Sequence, residues 1–291
     1  MDRSAARPAP RVPGIARWLA AAATVALATA ATVTLTAGTA AAESPSTKAV
    51  DFAGTVALDN CSGSLVKTPD SQPEDPALVM TNGHCLETGM PDPGTVIVDE
   101  PSSRSFELLD AEANHVGTLN ASKIAYATMT DTDVTLYQLD TDYSAISEEF
   151  GIDPLVLSDA HPEAGSAITV VSGYWEETYS CGIDDFVYEL HEADYVWKDS
   201  VRYTPECETI GGTSGSPVIN DATGEVIAIN NTGNESGEEC TMNNPCEVDA
   251  DGNVTVNEGT NYAQESYLIP ACVATGNVID LEQEGCTLPK P

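Results

Sequence analysis

The segment Gly211-Gly212-Thr213-Ser214-Gly215-Ser216-Pro217-Val218 carries the residues best suited to do chemistry. Acyl transfer by a side chain needs a hydroxyl presented on a tight turn, with backbone N–H groups aimed at the oxyanion that develops on the substrate. Glycines at 211, 212 and 215 permit such a turn and a close substrate approach. Pro217 then opens a short β-run that would anchor it. An ordinary Gly/Ser-rich hairpin is the other reading of this octapeptide taken alone.

Two upstream segments supply what a serine hydroxyl lacks. Thr81-Asn82-Gly83-His84-Cys85 puts a histidine at the end of the apolar run Leu78-Val79-Met80, beside a cysteine, and Cys61-Ser62-Gly63-Ser64-Leu65-Val66 reads as the strand before it. Asp131-Thr132-Asp133 immediately precedes the alternating run Val134 to Leu139. A general base, an acid to orient it and a nucleophile therefore follow one another along the chain, each at the edge of a strand. Asp131 and Asp133 both qualify as the acid, and Asp133 is preferred because it abuts Val134.

Short apolar or alternating runs must position these groups. They include Phe52–Leu58, Gly63–Val66, Leu78–Asn82, Thr95–Val98, Ala167–Ser172, Phe186–Leu190, Pro217–Asn220 and Val226–Ile229, punctuated by Gly, Pro, Asn and Asp. A sustained 3.6-residue apolar period is absent, with Ile269–Ala274 the nearest approach to one. Many short strands without intervening helices predict an all-β sandwich or barrel. The Asn-, Glu- and Gly-rich stretch 233–259 reads as a surface insertion. Within it, Asp249-Ala250-Asp251-Gly252-Asn253 has the flavour of a calcium loop but lacks its downstream Glu, and a hairpin turn is preferred.

The three segments, in this order, resemble the signatures of trypsin/chymotrypsin-like serine peptidases, in their bacterial secreted branch. Gly259-Thr260-Asn261-Tyr262-Ala263, followed by Tyr267-Leu268-Ile269-Pro270, looks like that family's last strand and C-terminal segment. The resemblance runs from about residue 52 to about 274. It implies two antiparallel six-stranded β-barrels with the active site between them, the first over about 50–145 and the second over about 160–275. It also implies catalytic roles for His84, Asp133 and Ser214, and an oxyanion hole built from the Gly212 and Ser214 N–H groups. No cofactor or metal is implied, and the partners are protein or peptide substrates met by a monomer. Cys61–Cys85 is the expected disulfide. Cys181–Cys207, Cys240–Cys246 and Cys272–Cys286 are pairings suggested by proximity in sequence.

Two departures from the family matter. Activated trypsins carry an Asp before the nucleophile, which receives a freed N-terminal amine; this chain has Thr213 there, so activation by a new N-terminus is not expected. In glutamyl endopeptidases a Thr five residues before the nucleophile helps bind the substrate carboxylate, and Thr209 stands at that distance. Their pocket histidine is missing: Asn230 or its neighbour occupies its place. Glu208 could line the pocket and favour Lys or Arg, or be a solvated loop acid.

Composition narrows the rest. The 291 residues include 11 Lys+Arg against 46 Asp+Glu, a formal charge of -35, which argues against nucleic acid and anionic membrane surfaces as partners. Charged residues are only 20% and hydrophobic ones 42%, so the chain can build a core rather than remain disordered. Residues 1–17 hold Arg3, Arg7, Arg11 and Arg17 against Asp2, and an uncharged run from Trp18 ends in Ala40-Ala41-Ala42. This is the pattern of a secretory signal over 1–42, with 43–291 as the mature domain, although a run of this length could also anchor the chain in a bilayer. All eight cysteines fall in the mature part, as expected for disulfides formed after export. There is no C-x-x-C pair and no ligand spacing among His84, His115, His161 and His191, which argues against structural zinc. The expected protein is a secreted serine endopeptidase. The alternatives are a non-catalytic peptide- or protein-binding module on the same fold and a secreted acidic ion-binding protein.

Overall fold

The computed structural model describes residues 49–291; the expected signal segment lies outside the described residues. Strands β1 (Thr55–Ala57), β2 (Ser62–Lys67), β3 (Pro76–Thr81), β4 (Val96–Pro101), β5 (Ser105–Leu109), β6 (His115–Thr128) and β7 (Val134–Asp142) come first. They are followed by helix α1 (Tyr143–Phe150) and β8 (Leu155–Val156). Antiparallel pairing runs β1-β5-β6-β7-β3-β2, and β2 pairs back onto β1, so six strands close into a barrel. Strand β4 is added on β6, and β8 lies parallel to β2.

A second ring follows. Its strands are β9 (Ala167–Ser172), β10 (Glu177–Glu192), β11 (Tyr195–Tyr203), β12 (Pro217–Asn220), β13 (Val226–Gly233) and, after β14 (Cys246–Val248) and β15 (Val254–Thr255), β16 (Asn261–Glu265). The order β11-β16-β13-β12-β9-β10 closes through the β10–β11 hairpin, with β14 and β15 as an extension on β10. The fold is thus the expected chymotrypsin-like pair of barrels.

Three apolar clusters explain why several strands read as unbroken hydrophobic runs rather than as alternations. Successive side chains of a strand point to opposite faces, and here both faces are covered. On β3, Ala77 and Val79 face the interior of the first barrel, while Leu78 and Met80 enter a cluster shared with residues of the second. On β12, Val218 faces the second barrel's interior and Ile219 the shared cluster. The C-terminal segment seals that shared cluster with Ile269, Cys272 and Leu288. Complete burial of a Leu or Met at such a position contributes roughly 1.5–3 kcal/mol.

Two expectations about local structure are corrected. Helix α1 lies where no helical period was seen, because it buries only Tyr143 and Ile146; its Asp142 N-cap accepts from Ala145 N at 2.8 Å, and Gly151 ends it in the left-handed region. Around Ile269–Ala274 the chain makes a 3₁₀ turn, Pro270–Cys272, and then a two-residue strand, Val273–Ala274. The 233–259 insertion is tied down rather than loose: buried Asn234 donates to the carbonyls of Glu238 and Pro245. Asp249 accepts from the Asp251 and Asn253 N–H groups, forming the turn between β14 and β15.

Candidate active site

His84 sits on a one-turn 3₁₀ helix, Gly83–Cys85, at the end of β3, and Asp133 is the residue before β7, which pairs with β3. The register of that pair brings the two side chains together. The Asp133 carboxylate is fully buried and takes two hydrogen bonds from one residue: His84 Nδ1 at 2.7 Å and the His84 backbone N–H at 3.0 Å. Because a carboxylate only accepts, Nδ1 carries the proton of the neutral ring, and Nε2 is left as the acceptor. Asn82 Nδ2 donates to the Asp133 carbonyl at 2.9 Å and fixes the chain on the other side. Gly83 is required here: a Cβ would strike the Thr128 carbonyl and come within 2.9 Å of Asp133 Oδ1. Burial by itself would lower the His84 pKa; the charge and hydrogen bond of Asp133, with Glu192 further off, outweigh it and raise the ring above its ordinary value.

The Cys61–Cys85 disulfide links β2 to this turn, with Cα atoms 6.1 Å apart. Its loop is held by buried Arg104, which donates to the Cys85 carbonyl and to Asp59 and Asn60. The other three disulfides join Cys181 to Cys207, Cys240 to Cys246 and Cys272 to Cys286. Asp131 goes elsewhere: its exposed carboxylate pairs with Lys198 Nζ at 2.9 Å. Of the two acids weighed, only Asp133 contacts His84.

Ser214 lies on the loop before β12, in the wall of the cleft that His84 also lines. The cleft has a cavity volume of about 110 Å³ and is open to solvent. Ser214 Oγ donates to the Asn231 carbonyl at 3.2 Å, so in this state it is not engaged with the imidazole. The loop is pinned across the barrels by Ser62 N–H donating to the Ser214 carbonyl at 2.8 Å. Gly215, at φ 80°, passes so close to Ser62 that a Cβ would strike the Ser62 carbonyl and Thr81 Oγ1. The Gly212 and Ser214 N–H groups have no acceptor among the described residues, whereas Thr213 N–H bonds to Ile210 O. Two free donors flanking a hydroxyl are what a developing oxyanion needs.

Uncharged contacts hold this loop. Buried Thr213 donates from Oγ1 to the Ile210 carbonyl at 2.5 Å and accepts from Asn230 Nδ2 at 3.0 Å; Tyr203 OH in turn donates to Asn230 Oδ1 at 3.2 Å. On the outer side the Trp175 indole N–H donates to the Gly211 carbonyl at 2.9 Å, and Ser62 Oγ to the Gly212 carbonyl at 3.3 Å. Sequence reading missed Tyr203 and Trp175, since no motif marks them.

The pocket residues separate. Thr209 and Asn230 line the cleft, but Asn230 is buried and already committed to Thr213 and Tyr203. Glu208 is exposed and outside the lining, as the solvated loop acid of its two readings would be. Two acids do line the cleft, Glu235 and the buried Glu192 at the end of β10. Glu192 is 4% exposed; Oε1 accepts from Asn243 N–H at 2.8 Å, Oε2 has no partner, and burial raises its carboxyl above the usual range. Among 46 acids nothing in the sequence distinguishes it.

The model of a family described as the trypsin-like peptidase domain matches residues 61–229. No curated protein sequence matches the chain. Similar solved structures include the active form of the Rv3671c protease from M. tuberculosis, 15% identical over 81% of this chain and 82% of that one, TM-score 0.45. The protease Anisep from Arthrobacter nicotinovorans is 16% identical over 75% of this chain and 90% of that one, TM-score 0.43. A Glu endopeptidase in complex with MPD is 14% identical over 76% and 88%, TM-score 0.41. At such distances these three give no residue a role.

Proposed function

Since its matched region spans more than half of its length, the chain belongs to the trypsin-like peptidase family, and we propose that it is a secreted serine endopeptidase working through His84, Asp133 and Ser214. The observation that carries this reading is the buried Asp133 carboxylate holding His84 by two hydrogen bonds beside a cleft that Ser214 shares. In this mechanism Ser214 Oγ leaves the Asn231 carbonyl, turns to His84 Nε2 and attacks the scissile carbonyl as its proton passes to the ring. The Gly212 and Ser214 N–H groups receive the oxyanion. His84 then gives its proton to the leaving amine, the C–N bond breaks, and water repeats the sequence on the acyl-enzyme. Asp133 keeps the ring in the productive tautomer throughout.

Export is supported by the basic, apolar and Ala-rich order of residues 1–42 and by four disulfides in the rest of the chain. Among the described residues no helix is long and apolar enough to cross a membrane. The substrate class is cationic peptide: Glu192 and Glu235 line the cleft of a chain whose formal charge is -35. Thr209 alone, without a cationic partner in that lining, does not support a preference for Glu before the cut.

The test is labelling with a sulfonyl fluoride followed by intact mass and peptide mapping. One adduct on Ser214, lost in Ser214→Ala and strongly slowed in His84→Ala, is the expected result. A folded protein that takes no label would turn the assignment to the binding module instead.

A further inference from the structure

We propose that His161, Asp199 and Glu265 form a zinc-class divalent-metal site on the second barrel, independent of the peptidase reading. The three come from separate parts of the chain: the loop before β9, the middle of β11 and the end of β16. One ligand atom from each lies within 4.8 Å of the others. His161 Nε2 is 3.1 Å from Asp199 Oδ2 and 3.8 Å from Glu265 Oε1. Donors about 2.0–2.1 Å from a tetrahedral ion lie about 3.3 Å apart, a spacing these two distances bracket.

The tautomer of His161 argues for a cation. Its Nδ1 is 2.7 Å from the Pro162 carbonyl, which can only accept, so Nδ1 carries the proton. The Nε2 lone pair of the neutral ring then faces the Asp199 carboxylate, two acceptors in contact. Something positive must stand between them. A ring N–H bonded to a backbone carbonyl is also the usual support of a metal-binding histidine, fixing which nitrogen meets the ion. The ring is held from both sides by Phe186 and Tyr267, at centroid distances of 4.4 and 5.0 Å, and Tyr267 OH donates to Asp199 Oδ2 at 3.1 Å.

Glu265 supplies the third donor. A proton on Nε2 would pair with Asp199 at 3.1 Å but give Glu265 no hydrogen bond: its side chain is 3% exposed, and both oxygens lack a hydrogen-bond partner. At 3.8 Å the ring is too far to donate to it. A buried carboxyl without a hydrogen-bond partner is expensive as an anion: burial pushes Glu265 up to about 9, so it holds a proton unless a cation is bound beside it. A single divalent ion would meet all three donors at once, with its remaining position open to solvent on the side where His161 and Asp199 are about two-fifths exposed. One imidazole with two carboxylates suits zinc or a neighbouring transition metal better than calcium, which takes oxygen ligands. Ligands this scattered leave no spacing pattern, which is why the sequence showed none.

The experiment uses the purified chain carrying Ser214→Ala to prevent self-digestion, stripped with EDTA and titrated with Zn²⁺ by calorimetry. One equivalent should bind, and a hundredfold excess over its Kd should raise Tm by about 5 °C. His161→Ala and Glu265→Gln should each weaken binding on the order of 100-fold, while His84→Ala leaves it unchanged. The Tm of each variant in EDTA reports folding separately. Binding no tighter than millimolar, binding indifferent to both substitutions, or displacement of Zn²⁺ by equimolar Ca²⁺ would each overturn the proposal.

Discussion

The two halves of the candidate active site are held by different physics. On the first barrel a fully buried carboxylate grips His84, and a buried arginine clamps the disulfide-linked turn beside it. On the second, the Ser214 loop is held by neutral hydrogen bonds alone: Thr213 to Asn230 to Tyr203 within, Trp175 and Ser62 from outside. Charge is placed where a proton must be held. Where only shape must be held, hydroxyls, an amide and an indole suffice, with no buried ion to desolvate.

The largest effect should come from the charged half. In Asp133→Asn the carboxamide no longer fixes the imidazole tautomer, and kcat for a peptide substrate should fall about 10⁴-fold while His84 stays in place. Steady-state kinetics at neutral pH, with circular dichroism as the check on folding, measure this. A loss below tenfold would mean that the buried pair is structural.

The neutral half should break more gently. Asn230→Ala removes the link between Thr213 and Tyr203, loosening the two free N–H donors, and kcat should fall about 100-fold. Because those donors act on charge that develops in the transition state, KM should change little, and an aldehyde transition-state analogue should lose affinity in parallel with kcat. A rise in KM at constant kcat would instead make Asn230 a substrate contact, and the contrast between the two halves would fail there.

What the sequence made legible follows the same division. His84, Asp133 and Ser214 could be singled out as candidates because each is a reactive residue type at the edge of a strand whose two faces are both buried, and such strands stand out as apolar runs. The β10–β11 hairpin was only partly seen, because its buried positions are interrupted by exposed polar ones such as Thr178, Ser180, Asp184, Asp185 and Lys198. Strand β6 hides for the same reason: its first half, His115–Asn120, is mostly polar and partly exposed. Tyr203 and Trp175 act through single hydrogen bonds that only tertiary structure creates. Glu192 was invisible and Glu208 ambiguous for one reason: acids are everywhere in this chain, and burial, which no motif records, separates one that lines the cleft from one that does not.

Glu192 gives the smallest effect and links the two halves, since it belongs to the second barrel and acts on the histidine of the first. His84 must be neutral to accept the Ser214 proton, so its raised pKa places the acid limb of kcat/KM above the ordinary histidine range. Asp133 contributes more to that rise than Glu192 does. Glu192→Gln should therefore shift the limb only slightly, to lower pH, leaving the plateau rate within about twofold. The same ionisation has a stability consequence of opposite sense. A group whose pKa is higher in the folded protein stabilises the fold when protonated; this contribution is complete below the unfolded value near 6.5 and disappears as pH rises through the folded one. The protein should thus lose a little Tm over the pH window in which it gains activity, and His84→Ala should abolish that slope. In Glu192→Gln the activity limb and the Tm slope should move together, because one titration underlies both. If the activity limb moves while the Tm slope stays where it was, Glu192 acts on the bound substrate rather than on His84.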